Sequence, residues 1–116
     1  MEWDAYKIGV TVPRSHLETV MDSLDGVVEP LYPGYDHVFS WWPAKGCWRP
    51  LEGSSPYDGE VGKITVAEEF RLEFAVKGRD LAGAVEAVRR AHPYEEPAID
   101  VIPLIPWKSV TASDGR

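Results

Sequence analysis

A single cysteine, Cys47, stands among the 116 residues. No internal disulfide can form and no cysteine-rich zinc module is present, so a reducing cytoplasm is the expected compartment. No apolar run approaches the roughly 20 residues that cross a bilayer. The start, MEWDAYKIGV, lacks the basic region and long apolar core of a secretory leader. Basic residues are scarce as well: 12 Lys and Arg face 19 Asp and Glu, a formal net charge of -7. That balance argues against nucleic-acid backbones, which are gripped by clustered Lys and Arg, and against anionic membrane surfaces. It is compatible with cations, basic partners or simple solubility. The patterns GxxxxGK[ST], GxSxG and HExxH are all missing. Cys47, Ser54 and Ser55 have no evident paired base, so nucleophilic catalysis finds no support.

What remains is the composition of one globular domain. Tyr6, Ile8, Val10 and Val12 alternate with Lys7, Gly9 and Thr11, which predicts a half-buried strand ended by Pro13. Ser15 and Glu18 have capping-box spacing. Leu17, Val20, Met21 and Leu24 then fall on one helical face, with Gly26 as a stop. After the turn signal Pro33-Gly34, YDHVFSWW (35–42) reads as a second strand. The segment 43–62 is rich in Gly, Pro and Ser and reads as one long loop, anchored by Trp48, Leu51 and Tyr57. Phe70, Leu72, Phe74 and Val76 alternate in a third strand, which could begin as early as Ile64. A second helix from about Asp80 shows Leu81, Ala84, Val85, Val88 and Ala91 on one face. Pro93 stops it and biases His92 out of the helical region. Ile99, Val101 and Leu104 form a last strand that Pro97 and Pro103 confine to an edge.

The order βαββαβ predicts an α+β, ferredoxin-like sandwich with two helices on one face of an antiparallel sheet. Residues 1–107 form the domain and 108–116 a flexible tail. Trp41 and Trp42 are strand neighbours, so they point to opposite faces. One can enter the core and the other meets the open face or a partner. Exposed tryptophans favour interfaces, so self-association is expected.

Three stretches together carry a resemblance: YDHVFSW (35–41), WRPLEGSSPYDGEVGK (48–63) and AHPYEEPAIDVIPL (91–104). They resemble the YqfO-type inserted domain of NGG1-interacting-factor-three-like proteins, from about Tyr6 to Leu104. The HPYE…P element is also similar to CutA proteins, ferredoxin-like trimers related in fold to PII signal proteins. The resemblance implies a PII/CutA-like fold and a homo-oligomer, a trimer ahead of a dimer. It implies no reaction, because the dinuclear metal site of the larger proteins lies in flanking domains. The CutA association with divalent cations makes a metal ion the cofactor to consider.

Two constellations follow. His37, His92, Glu95 and Glu96 supply imidazole and carboxylate groups that could hold a divalent cation. Equally, His92 could terminate the helix favourably for its dipole, the Tyr94-Glu95-Glu96 run could shape the turn, and His37 could be an ordinary strand-start residue. In the loop, Arg49, Glu52, Gly53, Tyr57 and Glu60 could contact a small ligand, because glycine-rich turns expose backbone amides. The alternative is a rigid loop packed on its own or a neighbouring subunit. His16, in the first turn of a helix, reads as exposed and passive. The leading expectation is a non-catalytic, oligomeric, ligand- or metal-responsive domain with a small-molecule or protein partner. The alternatives are a metal-assisted hydrolase and a purely structural interaction module.

Overall fold

The computed structural model describes residues 3–111. Strand β1 (Ala5–Pro13) is followed by a 3-10 turn at Arg14–His16 and helix α1 (Leu17–Asp22). Strands β2 (Ser40–Trp48) and β3 (Thr65–Lys77) form a long hairpin. A second 3-10 turn, Gly78–Asp80, leads into helix α2 (Leu81–Ala91). Strand β4 (Ile99–Leu104) and a short helix α3 (Trp107–Thr111) complete the described chain. The sheet order is β2-β3-β1-β4, antiparallel throughout.

The alternation read from the sequence sets the core. Ile8, Val10, Val12, Leu72 and Val76 are fully buried on one sheet face, against Val20, Leu24, Ala84 and Val88 of the helical layer. Each such side chain removed from water contributes about 1.5–3 kcal/mol. The expected α2 face is the observed one: Leu81, Ala84 and Val88 are buried, and Val85 and Ala91 pack beside them. Pro103 lies in edge strand β4 opposite Tyr6, and Pro43 in edge strand β2 opposite Phe70. These are positions where a missing N–H costs no ladder bond.

Several boundaries differ from the sequence reading. The second strand is displaced to Ser40–Trp48, so the first six residues of the expected loop, 43–48, are strand. Tyr35 makes only an isolated bridge to Tyr32 around the Pro33-Gly34 turn, and His37 takes φ 54. That left-handed conformation breaks a strand. The capping box does not form, because the Ser15 hydroxyl pairs with the His16 Nδ1 at 2.8 Å and the chain opens with a 3-10 turn. Neither tryptophan enters the core: Trp42, opposite Arg71, lies on the open face at 44% exposure, and Trp41, opposite Leu72 on the helix side, is still 48% exposed at the sheet edge. Of the expected tail, 108–111 lie within α3, and 112–116 fall outside the described residues.

The centre of the open face is polar and internally paired, with Trp42 and Ile102 exposed toward its two edges. Arg71 on β3 passes over Gly9, where any Cβ would collide with its guanidinium. It reaches Asp100 on β4 at 2.8 Å and Thr11 at 3.2 Å. Lys7 and Glu73 pair alongside at 3.7 Å.

Candidate functional site

The site is built at the far end of β1, where α2 hands over to β4. His92 leaves the helix with φ -81 and ψ 133, as a residue before proline must, while its N–H still donates to the Val88 carbonyl at 3.0 Å. Its side chain is 6% exposed. Nδ1 accepts the Tyr94 backbone N–H at 3.2 Å, which assigns the proton to Nε2, 2.7 Å from the Thr11 carbonyl. Burial holds this imidazole below its usual pKa and favours the neutral form.

Tyr94 is the hub. Its hydroxyl donates to Glu69 Oε2 at 2.6 Å. Burial, and then the Glu69 carboxylate, push the tyrosine pKa well above its ordinary value. Its ring lies 4.7 Å from His92, 5.4 Å from Trp48 and 5.9 Å from Tyr57, centroid to centroid. Glu69 is only 2% exposed. Gly46, across the β2–β3 hairpin, makes room for it, since a Cβ there would strike the carboxylate.

The loop 49–64 folds onto this corner. The Gly62 N–H donates to the Pro50 carbonyl at 2.8 Å and closes the loop on itself. The Trp48 indole N–H donates to the Asp58 carbonyl at 3.0 Å. The Ser54 N–H donates to the Leu51 carbonyl at 3.1 Å, in a turn where Gly53 takes φ 92. Glu95 ties loop to corner: its two carboxylate oxygens accept the Ser55 N–H at 3.0 and 3.2 Å. Tyr57 packs between Tyr94 and His16, the latter edge-on at 5.9 Å. The second and third of the matching stretches therefore meet within one chain.

The expected metal set is not drawn together. His37 pairs with Asp36 at 3.2 Å and Asp25 at 3.9 Å, and the hydrogen bond from Asp36 raises its pKa. His92 has both ring nitrogens engaged, Glu95 is held by Ser55, and Glu96 is exposed. Among the described residues no group of three or more His, Cys, Asp or Glu is placed to hold a metal ion. Of the expected loop contacts, Gly53 serves the turn, Tyr57 joins the aromatic cluster, and Glu60 pairs with Lys63 at 3.0 Å. Arg49 and Glu52 are exposed. Sequence reasoning passed over Glu69, weighed Ser55 only as a nucleophile, and read His16 as exposed and passive where it packs on Tyr57. Glu69 sits at a polar position of a strand alternation, and only the glycine opposite its neighbourhood hints at burial.

A β2-β3-β1-β4 sheet with both long helices on one face, and a long hairpin loop returning to the corner after α2, defines the PII/CutA-like class of ferredoxin-like domains. No family model matches the chain. Over 99 residues it is 32% identical to the GTP cyclohydrolase 1 type 2 homolog of Staphylococcus epidermidis, covering 85% of this chain and 27% of that protein. The Bacillus cereus protein related to NIF3 superposes with a TM-score of 0.75 at 30% identity, over 90% of this chain and 26% of that one. The periplasmic divalent cation tolerance protein CutA from Archaeoglobus fulgidus gives a TM-score of 0.63 at 21% identity, over 88% and 85%. At that identity the likeness shows the fold alone. The chain is a NIF3-like, PII/CutA-like domain, and it spans 27% of the length of the curated relative it matches. No helix among the described residues is long and apolar enough to cross a membrane.

Proposed function

We propose that this domain is a non-catalytic binding or regulatory module that acts in the cytoplasm as a homo-oligomer, with the loop 49–64 and the HPYEEP corner as its ligand-responsive part. One observation carries the reading: His92, Tyr94 and Glu95, three of the corner groups that could do chemistry, are already engaged within the fold, Glu95 with the loop itself. His92 binds Thr11 and Tyr94, Tyr94 binds Glu69, and Glu95 binds Ser55. A general base or metal ligand would have to leave one of these partners first, which disfavours the hydrolase reading. A ligand that competes for Glu95 or Tyr57 would instead release or reset the loop. Arg49, Glu52 and Glu60, exposed on the same loop, are the groups such a ligand would meet.

Oligomerisation is supported by the edges. Strands β2 and β4 each have an unpaired side in the described chain, and edges of this kind are normally covered. Trp41 and Trp42 stand on β2 and Ile102, at 51% exposure, on β4, with Val66, at 67%, beside them on β3. A trimer, the assembly implied by the CutA resemblance, is favoured over a dimer.

Native mass spectrometry of untagged protein, purified without chelator, tests both halves. Three subunits per particle is the expected result, and an organic adduct per subunit would identify the ligand. One metal ion per subunit after incubation with divalent cations would return the cation reading to first place. A bare monomer at micromolar concentration would overturn the oligomer.

A further inference from the structure

At the opposite end of β1 from the corner lies an open groove of about 540 Å3, lined by Trp3, Asp4, Leu31, Lys77, Gly78 and Arg79. Its floor is backbone. The Gly78 N–H donates to the Asp4 carbonyl at 2.7 Å, and a Cβ on Gly78 would collide with the Trp3 carbonyl. Trp3, 43% exposed, and Leu31 supply its apolar lining. At the rim two cations converge on one oxygen: Lys77 Nζ lies 3.4 Å from Glu29 Oε2, and the Arg79 guanidinium binds the same atom. Glu29 reaches them from an irregular segment whose backbone N–H is held by Asp80 Oδ2 at 3.0 Å.

We propose that this groove binds a small aryl carboxylate, with Glu29 as a built-in competitor for the Lys77–Arg79 pair. The Glu29 carboxylate marks the position and chemistry of the ligand's head. Its contacts are solvent-exposed, so they are weak and exchangeable. An incoming carboxylate keeps the same charge-assisted bonds. It adds the burial of a flat apolar body against indole and leucine over a floor without side chains. Asp4 on the lining selects against anions of higher charge, such as phosphate, by like-charge repulsion. Arg79 and then Lys77 hold the Glu29 carboxyl below its usual pKa, so the competitor is charged at neutral pH. The site is independent of the loop and corner.

The test is an NMR titration of the 15N-labelled full chain, read at the Trp3 indole N–H and the Gly78 amide, with phenylacetate, benzyl alcohol and inorganic phosphate as probes. Phenylacetate is expected to give saturable shifts at both signals, and the other two to give none. Glu29→Gln should bind phenylacetate roughly threefold tighter, and Arg79→Ala weaker by a similar factor or more, the scale of an exposed ion pair. Lys77→Gln serves in place of Arg79→Ala if the latter loses its dispersed spectrum. No saturable shift in either the parent or Glu29→Gln would overturn the proposal. So would unchanged or weaker binding by Glu29→Gln, because a merely structural Glu29 predicts that sign. Phosphate shifts equal to those of phenylacetate would overturn the aryl selectivity.

Discussion

The Tyr94 hydroxyl donates to the buried carboxylate of Glu69 at 2.6 Å, across 25 positions of sequence. This bond joins the hairpin to the corner, so its loss strands a charge. Tyr94→Phe is expected to destabilise the fold by about 1–3 kcal/mol, the cost of removing a donor from a buried acceptor. Gly46→Ala should cost a similar amount by driving a methyl group into the same carboxylate. Gly9→Ala should cost less, because the group it meets is the flexible end of half-buried Arg71. Urea unfolding of the three variants gives the order. A Gly9 variant weaker than the Gly46 variant would contradict the tight seating of Glu69.

Glu95 holds the loop through one backbone amide. Glu95→Ala should leave the fold intact and speed hydrogen exchange at Ser55 by about three- to tenfold, given an exposed charge-assisted bond. Glu95→Gln, which keeps one acceptor oxygen, should fall between. Residue-resolved exchange measures both. A Ser55 rate indifferent to either change would mean that the loop is kept in place by the aromatic cluster alone.

His92 gives the corner a pH dependence of defined sign. Burial depresses its folded pKa below the ordinary 6.5, so the neutral form is the one stabilised. That stabilisation is complete above pH 6.5 and is lost as pH falls through the depressed value, because a proton on Nδ1 would confront the Tyr94 N–H. His37 runs the other way. Asp36 raises its pKa, so its contribution is present below 6.5 and fades as pH rises, but the side chain is exposed and its weight is small. Thermal unfolding between pH 7.5 and 5 should therefore show falling stability, and His92→Gln should flatten the curve. An unchanged slope in that variant would remove His92 as its source.

Elements with strong periodicity were legible in advance. The Tyr6–Val12 and Phe70–Val76 alternations and the Leu81–Ala91 stripe match the observed strands and helix, because burial on one face dictates those patterns. β2 was misplaced for the opposite reason. Pro43, Ala44, Lys45 and Gly46 have poor strand propensity, and they are extended only because β3 offers them a partner edge. The site was half legible. The HPYEEP run was visible as a turn dense in polar groups, but its partners Glu69 and Ser55 are 23 and 37 positions before His92. Nothing local marks them. His37 and His92 were grouped by residue type, and the folded chain gives each its own carboxylates or carbonyls instead.

The strand order has a consequence for how the chain is made. β1 precedes every other described element along the chain, yet both of its neighbours come late: Ala5 pairs with Lys77 and with Leu104. Until residues 70–74 have emerged, Ile8, Val10 and Val12 have no sheet to join, and until 99–104 follow, the central strand keeps one bare side. Pairings that span nearly the whole domain slow folding and lengthen the exposure of apolar segments. The sheet therefore cannot be completed stepwise from its first strand.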